Sequence, residues 1–163
     1  MLHQSFDKLL AALADAVRDV YGERLRSLAV YGSVARGTMR PDSDIDVLIV
    51  AEPLPKGRLA RVTEFDAVEA RMKAPLADAK KQGVDACLSP VFKTPTELRH
   101  GSFLFLDMTD QARILFDRDA GLASYLADLA ARLRAMGAER VYSGGGYYWR
   151  LTPTFKQGDK IEI

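Results

Sequence analysis

Residues 30–50 read VYGSVARGTMRPDSDIDVLIV. The two ends of this stretch are apolar and its middle is broken by glycine and proline, the pattern of two strands joined through a turn-rich segment. Leu25 to Tyr31 is the first strand expected, and Ile45 to Val50 the second, its unbroken apolar run pointing to burial on both faces. Asp44 and Asp46 stand two residues apart where the second strand begins. Side chains alternate along a strand, so both carboxylates project to one face. Two like charges held together are costly unless a cation neutralises them, and hard oxygen ligands suit Mg2+ or Mn2+. Gly32 and Ser33 follow the first strand and open a short helix to about Arg36. Glycine lets a phosphate approach the backbone, and the serine hydroxyl and helix-start N–H groups can bind it. Arg36, one turn on, adds positive charge, and Gly37 allows a sharp exit.

A metal cage of this kind calls for a third carboxylate. Asp85, at the head of the apolar run GVDACLSP, is the best candidate, since a neighbouring strand would bring it beside Asp46. Asp107 and Asp110 compete from a less strand-like stretch.

Working outward, Phe6, Leu9, Leu10, Leu13, Val17 and Val20 recur at helical spacing, in a helix that Gly22 closes. A second long helix is expected from about Leu59 to Lys80, with Val62, Phe65, Val68 and Met72 inward and a kink at Pro75. A third strand is expected over Val84 to Leu88. Thr94-Pro95-Thr96-Glu97 reads as a capping box that starts a short helix. A fourth strand over Ala112 to Phe116 and a last helix from Leu122 to Met136 follow. Val141-Tyr142, a Ser-Gly-Gly-Gly turn and Tyr147-Tyr148-Trp149 read as a hairpin, to which Ile161 and Ile163 would add a strand. The order predicts one α/β (α+β) domain: a mixed sheet flanked by helices over residues 1–138, with residues 139–163 an aromatic β-hairpin extension.

The 163 residues are 48% hydrophobic and 28% charged, which excludes wholesale disorder. A net charge of +1 offers no basic footprint for nucleic acid, which is not the expected partner. One cysteine allows no internal disulfide, and two distant histidines give no zinc constellation. No apolar run spans a membrane and the N-terminus lacks signal-peptide character, so a cytoplasmic location is expected.

Gly32-Ser33-Val34-Ala35-Arg36-Gly37 followed by Ser43-Asp44-Ile45-Asp46-Val47 resembles the signature of the DNA-polymerase-β-like nucleotidyltransferases, most closely their minimal, antitoxin-like branch. The sharp motif covers Gly32 to Val50, and the order of elements extends the resemblance to about residue 117. It implies a polymerase-β-like fold and divalent ions at Asp44, Asp46 and Asp85. It also implies phosphate contacts at Gly32, Ser33 and Arg36, and transfer of a nucleoside monophosphate from an NTP, ATP first, to a hydroxyl on a protein or small molecule. Asp85 is the general base it suggests. Several members of that branch act as antitoxins on a helical HEPN toxin, so a HEPN-type partner on another polypeptide is implied. Assembly with further copies of the chain stays open. The alternative is a non-catalytic antitoxin or partner-binding module on the same fold.

Other features carry blander expectations. Cys87 is expected as a core thiol, Arg40 as a solvated loop residue, and Lys80, Lys81, Arg132, Arg134 and Arg140 as solvated helix faces. Arg36 is a candidate partner for Asp42. Tyr147, Tyr148 and Trp149 are expected to pack on the domain, with a protein interface or base stacking as the alternatives.

Overall fold

The computed structural model describes residues 1–154 and 156–161. Helix α1 (Leu2–Tyr21) buries Phe6, Leu9, Leu10, Leu13, Ala16, Val17 and Tyr21 on one stripe, and Gly22, at φ 54°, turns the chain out of it. Strand β1 (Leu25–Tyr31) runs directly into α2 (Gly32–Arg36), and β2 (Ile45–Ala51) returns antiparallel beside β1. Helix α3 (Arg58–Lys81) continues through Pro75 as one element; Phe65, Val68 and Met72 are inward as expected, whereas Val62 is exposed.

Strand β3 (Leu88–Lys93) pairs parallel with β2, and β4 (Arg113–Asp117) antiparallel with β1, giving the mixed order β3-β2-β1-β4. The third strand therefore lies further along the chain than expected. Pro90 reads as a strand breaker, but β3 is an edge strand, where a missing N–H costs no ladder bond. Between β3 and β4 stand two helices rather than one. Helix α4 (Pro95–Arg99) has the expected capping box: the Glu97 N–H donates to Thr94 Oγ1 at 3.2 Å and the Thr94 N–H to Glu97 Oε2 at 2.9 Å. Helix α5 (Leu104–Gln111), not anticipated, buries Phe105, Leu106 and Met108.

Alternation along the central strands divides the interior in two. Leu28, Val30, Ile45, Val47 and Ile49 face α1 and α3. Ala29, Leu48 and Val50 face α5 and α6 (Gly121–Ala135), which contributes Leu122, Leu126, Leu129 and Leu133. Each fully buried leucine or phenylalanine on either side is worth about 2–3 kcal/mol of transfer free energy. The mixed sheet covered on both faces explains the unbroken apolar run of β2.

The tail is the expected hairpin: β5 (Glu139–Ser143) and β6 (Gly146–Arg150) are joined through Gly144 and Gly145, both at positive φ. It is fastened to α5. Trp149 Nε1 donates to Asp107 Oδ1 at 2.9 Å, and Arg140 donates twice to Asp110 at 2.9 and 2.7 Å. The Arg140 guanidinium lies 4.8 Å from the Trp149 ring centroid, and its side chain is only 12% exposed. Arg140 is thus a strand residue clamped under an aromatic face, not a solvated helix residue. Ile161 belongs to no strand, and Ile163 lies outside the described residues. Among the described residues no helix is long and apolar enough to cross a membrane.

Candidate active site

Asp46 is the second residue of β2, directly opposite Tyr31, the last residue of β1. It shares the parity of Leu48 and Val50, so its carboxylate rises on the α5–α6 side of the sheet. Asp44, exposed and two residues earlier, lies just ahead of the strand, close enough for its charge to act on Asp46. Gly32 is the next residue after β1, at φ 70°. A Cβ there would stand 2.2 Å from Asp46 Oδ2. Only glycine lets the backbone at the start of α2 lie against this carboxylate. Ser33 is half-buried at the start of α2, and Gly37, left-handed at φ 71°, ends it. The local chain thus gathers Gly32, Ser33, Asp44 and Asp46 around the junction of β1, α2 and β2.

The electrostatics of the junction are those of an under-neutralised acidic pair. Burial is the largest influence holding the Asp46 carboxyl above its ordinary value, and the neighbouring Asp44 charge adds to it. The Ser89 hydroxyl and the Arg36 guanidinium pull it back down. Ser89 faces Asp46 across β2 and β3, so the parallel register brings a hydroxyl, not a carboxylate, to this position. The Tyr31 phenol is pushed up to about 12, first by burial and then by the Asp46 charge.

Asp85 is not brought to the pair. It precedes β3, its backbone N–H donates to the Pro41 carbonyl at 2.8 Å, and its exposed carboxylate sits 2.9 Å from Lys80 Nζ. Ser89 is level with Asp46, and Asp85 lies four residues earlier, about 13 Å along an extended chain. The competing carboxylates are also engaged, Asp107 with Trp149 and Asp110 with Arg140. Among the described residues, no group of three or more His, Cys, Asp or Glu stands close enough to hold a metal ion. The site is a pair of carboxylates with Ser89 beside it, rather than the expected cage of three. Cys87 is exposed rather than a core thiol. Asp42 is paired by Arg40 at 3.3 Å, not by Arg36.

Sequence reasoning missed Ser89 and Tyr31. Nothing in GVDACLSP marks serine over aspartate as the neighbour of Asp46; only the strand register does so. It also missed that the hairpin reaches this end of the molecule. The Tyr147 hydroxyl is raised first by burial and then by Asp107, and it lies within the field of Arg36.

An Asp-x-Asp at a strand start, pressed against a Gly-Ser helix start on a mixed sheet, is the arrangement of a nucleotidyltransferase. A family model described as "Nucleotidyltransferase domain" matches residues 10–104, more than half of the chain. The chain belongs to that family. It is 29% identical over 128 residues to the Methanocaldococcus jannaschii protein named "Putative protein adenylyltransferase", a match covering 77% of this chain and 79% of that one. A toxin-antitoxin crystal structure with AMP-PNP is similar at 18% identity and TM-score 0.45, covering 83% of this chain and 89% of that one. A mutant of the MntA-HpeT toxin-antitoxin is similar at 19% identity and TM-score 0.47, covering 74% and 82%.

Proposed function

We propose that this chain transfers a nucleoside monophosphate from an NTP, ATP first, to a hydroxyl of another protein: the hydroxyl oxygen bonds to the α-phosphorus, the α–β phosphoanhydride breaks, and pyrophosphate and the hydroxyl proton are released. The observation that carries the reading is the contact between Gly32 and Asp46. A glycine whose Cβ would fall 2.2 Å from a carboxylate oxygen keeps the backbone of a phosphate-type helix start against an acidic pair. A purely structural junction has no use for two uncompensated acids there. The acceptor class is taken from the name of the Methanocaldococcus relative. A HEPN-type toxin chain is the acceptor to test first.

In this reading Gly32 and Ser33 receive the phosphates through backbone N–H groups and the serine hydroxyl, and Arg36 offsets their charge. Asp44 and Asp46, with the Ser89 hydroxyl, would hold Mg2+ or Mn2+, which supplies charge neutralisation and polarisation at the transferred phosphoryl group. Two carboxylates completed by substrate phosphate oxygens suit Mg2+, which seldom needs an all-protein cage. Asp85 is left out of this set because Lys80 already pairs with it. Tyr31, kept protonated by burial, walls the base of the acidic pair rather than serving as a base.

The experiment is calorimetric titration of ATP, GTP, CTP and UTP with and without Mg2+, on the native chain and on Asp44→Ala/Asp46→Ala. It is followed by transfer of α-labelled nucleotide to a co-expressed HEPN-type protein. Metal-dependent binding lost in the double variant, and label on the partner, are expected. No binding of any NTP with metal present would sink the proposal and leave the partner-binding module as the reading.

A further inference from the structure

The far end of the sheet holds a second feature that the acidic pair does not use. A cavity of about 690 Å3 opens there on the α5–α6 side, a volume in the usual range for small-molecule sites. Val50 lines it, four residues along β2 from Asp46, so the two places are separated by about 13 Å of strand. Its floor is apolar: Val50, Leu98 and Leu122 are all buried, and the ring of Tyr125 stands beside them.

The rim is charged in both signs. Arg118 is committed, its Nε donating to the Leu25 carbonyl at 3.2 Å and its Nη1 lying 3.5 Å from Glu23. Arg26 and Arg132 form no ion pair among the described residues, and Arg99 donates only to Thr96 Oγ1. The carboxylates of Glu52, Asp119 and Asp128 on the same rim are likewise without an ion-pair partner among the described residues. Asp119 and Ala120, consecutive and neither of them glycine, are held at φ 55° and 52° at the turn into α6, a strained arrangement of the kind found where a chain is shaped around a ligand.

We propose that this cavity binds a nucleoside 5′-phosphate, at a site separate from the acidic pair. The free guanidiniums suit a phosphate, which arginine grips bidentately. The Tyr125 ring and the leucines suit a flat base. The rim carboxylates suit the donors that a nucleoside carries, ribose hydroxyls and an exocyclic amine. Inorganic phosphate would leave the floor unused, and a fatty acid would leave the carboxylates unanswered. The site does not rest on the transfer reading.

The test is equilibrium dialysis of labelled AMP, GMP, CMP and UMP in EDTA against the full chain carrying Asp44→Ala/Asp46→Ala. Saturable binding of at least one mononucleotide is expected. It should weaken at least tenfold when Arg26→Ala/Arg132→Ala is added, with adenosine and inorganic phosphate each binding more weakly than the whole nucleotide. Both arginines are exposed, so the fold should survive, as a thermal melt will check. Arg26→Gln/Arg132→Gln serves as a second variant that removes charge with less change of shape. Failure of all four mononucleotides to bind overturns the proposal. So does binding indifferent to both arginine variants, or binding present in the native chain and lost with Asp44→Ala/Asp46→Ala.

Discussion

At the scale of single residues, the acidic junction holds an opposition between stability and function. Asp46 has its carboxyl raised, so the folded chain binds that proton more tightly than the unfolded chain does. Stability therefore falls as pH rises from the ordinary carboxylate range through the raised value. Asp46→Asn removes this penalty. It is expected to stabilise the chain at pH 7 in urea titrations, and to flatten the pH profile just above the ordinary carboxylate range, while abolishing nucleotide transfer. Gly32→Ala should instead destabilise. It puts a Cβ 2.2 Å from Asp46 Oδ2 at a φ of 70°, at an expected cost of about 1–3 kcal/mol together with loss of transfer. The clash part of that cost depends on the carboxylate. In a double-mutant cycle, Gly32→Ala should therefore cost less on an Asp46→Ala background. Equal costs on both backgrounds would show that the close approach is not what requires glycine.

At the scale of elements, two small pieces are secured by ion pairs of different kinds. Helix α4 begins with its capping box and is tied to α3 by Arg61, which donates to both Glu97 carboxylate oxygens at 2.8 and 2.9 Å. That pair, with the Thr94 N–H, holds the Glu97 carboxyl down at about 2. A depressed carboxyl contributes stability above its ordinary pKa, and that contribution fades as pH falls from about 4.5 to about 2. Glu97→Gln is expected to cost about 1 kcal/mol at pH 7, discounted for the partly exposed carboxylate, and only a small part of that at pH 2, where the carboxyl is about half protonated. Denaturant titrations across that range read the difference. The hairpin is held by Arg140 between Asp110 and the Trp149 ring. Arg140→Ala should raise amide exchange across β5 and β6 while β1 and β2 keep their protection. Uniform loss of protection would mean that the hairpin is part of the main cooperative unit.

At the scale of the molecule, the sheet separates two apolar clusters. Leu13 lies in one and Leu129 in the other, both essentially inaccessible to solvent. Each substitution to alanine should cost about 2–5 kcal/mol, and the two costs should add, because no side chain is shared between the clusters. A deficit in additivity in denaturant titrations would show coupling across the sheet. The same layering places both candidate sites. The β1–β2 pair presents one end to the acidic junction and the other to the arginine-rimmed cavity, both on the α5–α6 side.

What the sequence determined by itself was local. Helical spacing of leucines marks α1 and α6, the capping box marks the start of α4, and period-two alternation puts Asp44 and Asp46 on one face. Gly32, Ser33 and the Asp-x-Asp pair are legible because α2 and one short loop connect them, so spacing alone brings them together. The tertiary structure decided the rest. Whether Asp85 or Ser89 stands beside Asp46 depends on the register of a parallel edge strand, and a shift along that strand changes the neighbour without changing any local pattern. Helix α5, and the clamping of Arg140 and Trp149 against it, depend on which surface the hairpin covers. That choice comes from burial of apolar area between segments far apart in the chain, and local spacing does not encode it.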